Sequence, residues 1–240
     1  MKAKSIFQCA ALLTGLLFLN VPLFAAVESD IVGYTTISME AGKWYQVGYP
    51  FSPLDGAESI KLNDCFTEGF ALEDTLMILD VVNSSYEAML YWVPEKNAWC
   101  NLPIAAIATP SDKVLKPGQA VYIYKKTAGD VIFSGQVKAV ETNFGAESGN
   151  QWAQICVVWP EQKALNSLQW TNLALGDTLQ VLNVDSASYE PMLYWVPEKQ
   201  AWCDLPIAAI ATPSDKVLTP GQAVYIYKAT QGVGAVKVQE

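Results

Sequence analysis

The chain has 240 residues, with 24 acidic and 15 basic side chains, and its formal net charge is −9. All basic side chains are lysines, because the sequence contains neither arginine nor histidine. This composition disfavours nucleic acid, whose phosphates need a basic surface, and excludes nucleophile systems and the usual zinc sites that depend on histidine. We therefore expect no nucleic-acid partner, no metal and no cofactor.

The first 26 residues have the pattern of a secretory signal peptide. Lys2 and Lys4 precede an apolar core that starts with Ala10–Leu19, and Leu23–Ala26 offers small residues for cleavage. After cleavage, 13 lysines and 24 acidic residues remain, a net charge of −11. No later segment approaches the roughly 20 apolar residues of a membrane-spanning helix. We expect an exported protein without a transmembrane span, located in the periplasm, at the cell surface or outside the cell.

Strand patterns dominate the rest of the chain. Asp74–Val81 and Ala120–Tyr124 are short, rich in aliphatic and aromatic residues, and bounded by turn formers such as Pro117-Gly118. A short helix is expected within Ala57–Cys65, with a counterpart near Ala164–Leu168. The prediction is an all-β fold.

A long internal repeat sets the domain organisation. Asp74–Lys125 and Asp177–Lys228 align without a gap, and 42 of their 52 positions carry the same residue. A period near 100 residues is too long for a solenoid unit and fits a small domain. We predict two tandem, homologous β-sandwich or barrel-like modules, residues 27–137 and 138–240. Any site inside the block should exist twice.

The junction between the modules has its own pattern. Asp130–Val137 aligns with the end of the chain, Gly232–Glu240, and with the start of the mature chain, Asp30–Thr35. This predicts that one strand region ends the first module and begins the second. No Gly-, Ser- or Pro-rich linker lies between them, which favours closely coupled modules. We expect Asp130–Phe144 to be ordered and paired with strands.

The strongest local signal is a hairpin within Tyr86–Leu102. A turn at Pro94–Asn97 pairs Trp92 with Trp99, and alternation along a strand places both side chains on one face. The other face is apolar and is expected to point to the core; its members are Met89, Tyr91, Val93, Ala98, Cys100 and Leu102.

The hairpin tryptophans are the candidate ligand platform, with Trp92 and Trp99 in the first copy and Trp195 and Trp202 in the second. Two indoles side by side and open to solvent could stack on the pyranose rings of a polysaccharide. The pattern also allows a cross-strand aromatic pair that packs the hairpin, or a contact with the neighbouring module. The sequence leaves these three interpretations open.

Four cysteines remain after cleavage of the signal peptide, which permits two disulfides in an exported chain. The simplest pairing puts one bridge in each module, Cys65–Cys100 and Cys156–Cys203. Buried free thiols, acting as small hydrophobic side chains, are the alternative.

The order of the motifs resembles a known family of exported modules. A Gly-x-Trp strand at Gly42–Pro50, a Trp hairpin at Tyr91–Trp99 and a Leu-x-Pro-Gly segment at Leu115–Tyr124 are similar to the "GWNLIGNP … LxPGxGFWV" β-modules of bacterial surface proteins. The resemblance covers Ile31–Glu240 in two copies, and the second copy lacks the glycine equivalent to Gly48. It implies an extracellular β-sandwich or barrel-like accessory module, and it supplies no catalytic residue.

Together these patterns predict an exported, non-enzymatic structural or interaction protein of the cell envelope or cell surface. The alternative is a carbohydrate-binding protein that uses the paired tryptophans of each hairpin. The expected partner is accordingly a protein or a polysaccharide at the cell surface.

Overall fold

The computed structural model describes residues 32–53, 57–145 and 147–239, and strands make up almost all of its regular secondary structure. The all-β prediction is therefore confirmed. The predicted signal peptide, residues 1–26, lies outside the described residues. Within the described ranges, none of the helices has the length and hydrophobicity needed to span a membrane.

Ten strands lie in the N-terminal half, residues 32–137. They are β1 (Val32–Met39), β2 (Lys43–Gly48), β3 (Ile60–Lys61), β4 (Thr75–Asp80), β5 (Ser85–Tyr86), β6 (Leu90–Val93), β7 (Ala98–Cys100), β8 (Val114–Leu115), β9 (Ala120–Lys125) and β10 (Gly129–Gln136). A single helical turn, α1 (Leu62–Cys65), follows β3, inside the segment where a short helix is predicted.

Eleven strands lie in the C-terminal half, residues 138–239. They are β11 (Thr142–Phe144), β12 (Gln151–Cys156), β13 (Lys163–Ala164), β14 (Gln169–Thr171), β15 (Thr178–Asn183), β16 (Ser188–Tyr189), β17 (Leu193–Val196), β18 (Ala201–Cys203), β19 (Val217–Leu218), β20 (Ala223–Lys228) and β21 (Gly234–Lys237). The counterpart of α1 is a 3₁₀ turn at Leu165–Ser167.

Each half is built on one main antiparallel sheet. Its strand order is β2-β9-β4-β6-β7 in the N-terminal half and β12-β20-β15-β17-β18 in the C-terminal half. Every pairing inside the repeated block recurs at an offset of 103, as in Thr75 with Tyr124 and Thr178 with Tyr227. The same sequence block therefore forms the same sheet twice.

A second layer covers one face of each main sheet. In the N-terminal half it is the ribbon of β1 and β10 together with α1, which contribute Met39, Leu62 and Phe133 to the core. In the C-terminal half, β21 pairs with β11 on one side and β14 on the other. Burial of alternate residues between the layers drives this sandwich arrangement.

The junction is ordered and paired, as predicted, but it is not one shared strand. β10 pairs with β1 in the N-terminal half, and β11 pairs with β21 in the C-terminal half. Residues 137–141 connect the two. The named strands thus pair only within their own half, and the halves meet through isolated bridges that join Val47 to Gln222 and Gln119 to Ile155.

The two halves contact each other reciprocally. The backbone N–H of Gly48 donates to the carbonyl of Gly221 at 2.9 Å, and that of Cys156 donates to Gly118 at 2.7 Å. Gly48 and Cys156 are equivalent positions in β2 and β12, and Gly118 and Gly221 are equivalent in the repeated block. Each half therefore gives the other the same contact that it receives, as in a two-fold dimer.

Side chains make reciprocal contacts between the halves as well. Gln46 Nε2 donates to the phenolic oxygen of Tyr189 at 2.7 Å, and the equivalent Gln154 donates to Tyr86 at 2.8 Å. Val81, at the tip of the β4–β5 hairpin, packs against the core of the C-terminal half, and its equivalent Val184 packs against that of the N-terminal half. The described residues accordingly form one compact unit.

A buried ion pair closes one end of each main sheet. Asp74 with Lys125, and Asp177 with Lys228 at 3.1 Å, are fully buried. The Asp74 carboxylate also accepts hydrogen bonds from the backbone N–H groups at positions 71 and 126. Such a pair is stable only when its remaining polar atoms are satisfied, so it also fixes the chain around it.

The reciprocal contact predicts a specific packing defect. In Gly48→Ala, the new Cβ would lie 2.2 Å from the Sγ of Cys156 and 2.7 Å from its Cβ. We expect this overpacking to lower the free energy of unfolding by about 1–3 kcal/mol, measured by urea denaturation. Adding Cys156→Gly should restore part of the loss, since it removes the clashing atoms. If the change in unfolding free energy of the double variant equals the sum of the changes in the two single variants, the contact between Gly48 and Cys156 is contradicted.

Candidate functional site: a duplicated apolar loop

The predicted tryptophan platform is wrong. Trp92 and Trp99 are 3% and 0% exposed, and Trp195 and Trp202 are 7% and 0% exposed, so no indole face is open to a ligand. The predicted register is confirmed, because Trp92 pairs with Trp99 and their rings meet edge to face at 5.5 Å. The rings pack into the core of their own half, which is the hairpin-packing interpretation of the pattern.

The predicted disulfides are also wrong. Within the described part of the chain, Cys65, Cys100, Cys156 and Cys203 are buried free thiols. Cys100 and Cys203 lie under the loops described below, and Cys156 packs between the halves with Ala120 and Ala223. The alternative of small buried hydrophobic side chains is the correct one.

The hairpin has two buried faces because the chain folds back over it after β7. Val93, Ala98 and Cys100 form a small cluster with Ala108, and Val196, Ala201, Cys203 and Ala211 repeat it in the C-terminal half. Sequence alternation correctly groups the side chains by face. It does not reveal that the following segment covers the second face.

Backbone hydrogen bonds hold this segment in a closed loop. The N–H of Asn101 donates to the carbonyl of Thr109 at 3.1 Å, and the N–H of Thr109 donates to Asn101 Oδ1 at 2.8 Å. Inside the loop, the N–H groups of Ile107 and Ala108 both donate to the carbonyl of Ile104. Asp204 and Thr212 make the equivalent bonds in the second copy.

Asn63 fixes the base of the loop, and the sequence analysis missed it. Its Oδ1 accepts from the backbone N–H of Trp99 at 2.7 Å, while its Nδ2 donates to the carbonyls of Trp99 and Ser111 at 3.3 and 2.9 Å. Asn166 makes the same three bonds to Trp202 and Ser214. Asn63 and Asn166 share the offset of 103 but lie outside the strongly identical block, so the repeat comparison did not single them out.

We call Leu102–Pro110 and Leu205–Pro213 the apolar loops. Leu102, Ile104 and Ile107 are 40%, 57% and 62% exposed, although the hairpin pattern predicts Leu102 to face the core. The equivalent Leu205, Ile207 and Ile210 are 40%, 56% and 62% exposed. Both halves therefore present the same three aliphatic side chains to solvent on a loop whose shape is fixed beforehand.

The exposed residues of this surface are the same in both copies, whereas many other exposed residues differ. Twelve positions of the first copy of the block are exposed outside the run 102–115, and seven of them differ in the second copy. Ten positions inside that run are exposed, and none of them differs. Exposed positions usually tolerate change, since they contribute little to stability. The apolar loops therefore belong to the part of the block's exposed surface that is unchanged between the copies.

The charge around each apolar loop is balanced. Residues 102–110 carry no charged side chain, and an acid and a base, Asp112 and Lys113, follow them. Lys113 forms an ion pair with Glu87 at 2.6 Å, and Lys216 binds Glu190 in the second copy. The loops combine an uncharged aliphatic surface with a rim of both signs.

Two aromatic stacks form another partly exposed apolar feature of the described residues. Trp44 stacks on Tyr122 at 4.8 Å, and Trp152 stacks on Tyr225 at 4.4 Å, with both indoles half-buried. These rings lie on the face of each main sheet opposite the core. One face of each indole is occupied by its tyrosine.

Comparisons with known proteins find no matching family model, no matching curated protein and no matching solved structure. The resemblance to exported surface modules therefore stays an expectation from the sequence.

The buried thiols predict low reactivity. Burial raises the pKa of the Cys156 thiol to about 12, and it raises the pKa of the Cys65, Cys100 and Cys203 thiols above their ordinary value. We expect none of these four to react with a thiol reagent at neutral pH in the native protein, and all four to react after unfolding. Mass spectrometry of the labelled protein measures this. A change in electrophoretic mobility on reduction would contradict it.

The asparagine at the base of each loop predicts a stability effect. Asn63→Ala leaves the buried N–H of Trp99 without its partner, so we expect the free energy of unfolding to fall by about 2–3 kcal/mol. Limited proteolysis should then cut residues 102–110 faster than in the wild type. The exposed Asn143 gives the matched control, because Asn143→Ala should change stability by no more than about 0.5 kcal/mol. Equal losses from both variants would contradict the assignment.

Proposed function

We propose that this chain is an exported, non-enzymatic interaction protein of the cell envelope or cell surface, and that the apolar loops are its contact sites. One observation carries the proposal: the exposed positions of these loops are identical in both copies, while most other exposed positions of the block have diverged. Two sets of exposed aliphatic side chains on ordered loops would otherwise be a liability for solubility.

The size of the surface sets the strength of a single contact. Burying a whole leucine or isoleucine side chain stabilises a complex by roughly 1.5–3 kcal/mol. Three half-exposed side chains per loop therefore contribute on the order of 3 kcal/mol, less than the cost of bringing two molecules together. If one partner assembly binds both loops at the same time, its affinity is higher than that of a contact with one loop, although each loop makes the same contacts. The duplication of the loop is consistent with such two-point binding.

A protein is the favoured partner. The contact side chains are aliphatic, and a polysaccharide offers few surfaces that such side chains can desolvate. Carbohydrate binding through the hairpin tryptophans has lost its structural basis, because those rings are buried. The half-buried Trp44 and Trp152 are the remaining candidates for that second function.

Two multiple variants test the proposal. The loop variant replaces four exposed residues of the apolar loops and consists of Ile104→Lys, Ile107→Lys, Ile207→Lys and Ile210→Lys. The surface control makes the same kind of change at exposed apolar residues elsewhere and consists of Val32→Lys, Leu72→Lys, Val82→Lys and Leu175→Lys. Both variants should unfold close to the wild-type midpoint, since all eight side chains are exposed.

The measurement is retention of the purified protein on washed cell envelopes of the source organism. We expect wild type and surface control to be retained, the loop variant to be released, and protease treatment of the envelopes to abolish retention. Retention that survives protease and is lost in Trp44→Ala with Trp152→Ala would instead favour a polysaccharide partner. Equal retention of the loop variant and the wild type would overturn the assignment of the loops.

A further inference from the structure

We propose that a cavity between the two halves is a binding site for a small monocarboxylic acid with an apolar body. The cavity has a volume of about 270 Å³, and both halves contribute to its wall. None of the residues that line it belongs to the apolar loops. The inference is therefore independent of the contact function proposed above.

The reciprocal contact between the halves forms this cavity twice. The first cavity lies between β4 and the turn before β9 in the N-terminal half and β11 and β12 in the C-terminal half. A second cavity, of about 190 Å³, lies between the equivalent elements of the opposite halves. The wall residues Leu79, Val81, Pro117 and Gln119 of the first recur in the second as Leu182, Val184, Pro220 and Gln222. The second cavity is therefore a natural control for the first.

One difference between the cavities is the space inside them. Ala153 in the wall of the first is replaced by Tyr45 in the second, since Ala153 pairs with Ile226 and Tyr45 with the equivalent Ile123. The phenolic oxygen of Tyr45 accepts the backbone N–H of Glu40 at 2.6 Å, which holds its ring in place. A dry cavity of roughly 150 Å³ already accommodates benzene, so the first cavity has room for a ring or a short alkyl chain.

The other difference is a cation. Lys116 lines the first cavity, and among the described residues it belongs to no ion pair. Gln119 Oε1 accepts the backbone N–H of Lys116 at 3.2 Å, so the Nε2 of Gln119 is left to donate elsewhere. In the second cavity Thr219 takes the place of Lys116, and its N–H and hydroxyl both bond to Gln222 Oε1, at 3.0 and 3.2 Å.

These groups together define the chemistry of the ligand. Leu79, Phe144 and Ile155 give the first cavity an apolar wall, and no acidic side chain lines it. A carboxylate accepts charge-assisted hydrogen bonds from Lys116 and from the amide of Gln119. A second negative charge would lie against the apolar wall without a partner, which is costly. The complement of this cavity is therefore a single carboxylate on an aliphatic or aromatic body.

Isothermal titration calorimetry of the purified protein tests this with hexanoate, and hexan-1-ol serves as the uncharged molecule of the same chain length. We expect one hexanoate to bind per protein molecule, with a dissociation constant on the order of 1 mM for a ligand of this size. Hexan-1-ol should bind at least about tenfold more weakly, because it cannot pair with the ammonium group of Lys116.

Two variants transfer residues of the second cavity into the first. Lys116→Thr should weaken hexanoate binding to the level of hexan-1-ol and leave hexan-1-ol binding unchanged. Ala153→Tyr should abolish the binding of both, because the ring fills the cavity. Lys199→Thr, at another exposed lysine without an ion pair, is the matched control and should bind hexanoate as the wild type does.

The reverse transfer should create a second site. Thr219→Lys with Tyr45→Ala gives the second cavity both the cation and the space, so we expect the stoichiometry to rise from one hexanoate to two. The inference is wrong if the wild type binds no hexanoate at about 10 mM. It is also wrong if hexan-1-ol binds as tightly as hexanoate, or if Lys116→Thr binds hexanoate like the wild type. Because Lys116 is exposed, the last comparison does not depend on whether Ala153→Tyr folds.

Discussion

The reciprocal contact between the halves is the constraint on which the rest of the molecule depends. β2 and β12 are edge strands, and an unprotected edge readily pairs with another chain. Here each edge strand is held by a backbone bond from the other half, and a hairpin valine from the partner half packs beside it. Separation of the halves would expose the small residues buried between them, Ala120, Cys156 and Ala223. Each apolar loop follows the strand at the other edge of its main sheet, β7 or β18.

The contact also accounts for two of the differences between the copies. In a two-fold arrangement each position near the axis faces its own equivalent, so identical side chains would meet one another. Gly48 faces Cys156, and the thiol fills the space that the missing side chain leaves. Lys43 forms an ion pair with Asp185 at 2.6 Å. The position of the first copy that is equivalent to Asp185 is occupied by Val82, which carries no charge. Because these positions differ between the copies, the contact joins two unlike halves and would not form in the same way between two identical ones.

Each apolar loop has an inward side that packs on the hairpin and an outward side that is exposed. The inward side of each loop, through Ala108 or Ala211, covers the hairpin and keeps its cysteine buried. The outward side exposes three large aliphatic side chains. An asparagine at the base makes three hydrogen bonds that hold both sides in place. A rigid loop would lose little conformational entropy in the contact proposed above.

The sequence by itself determined the features that depend on neighbouring residues: the all-β class, the repeat, the turn at Pro94–Asn97 and the pairing of Trp92 with Trp99. The copies agree in register because the local pattern that specifies each hairpin is the same in both. The burial of both faces of the hairpin depends on tertiary packing instead. Alternation shows which side chains share a face, but a face is buried or exposed according to what packs on it, and here residues 101–111 fold back over the second face. The state of the cysteines and the exposure of Leu102 follow from that long-range packing, which no local pattern records.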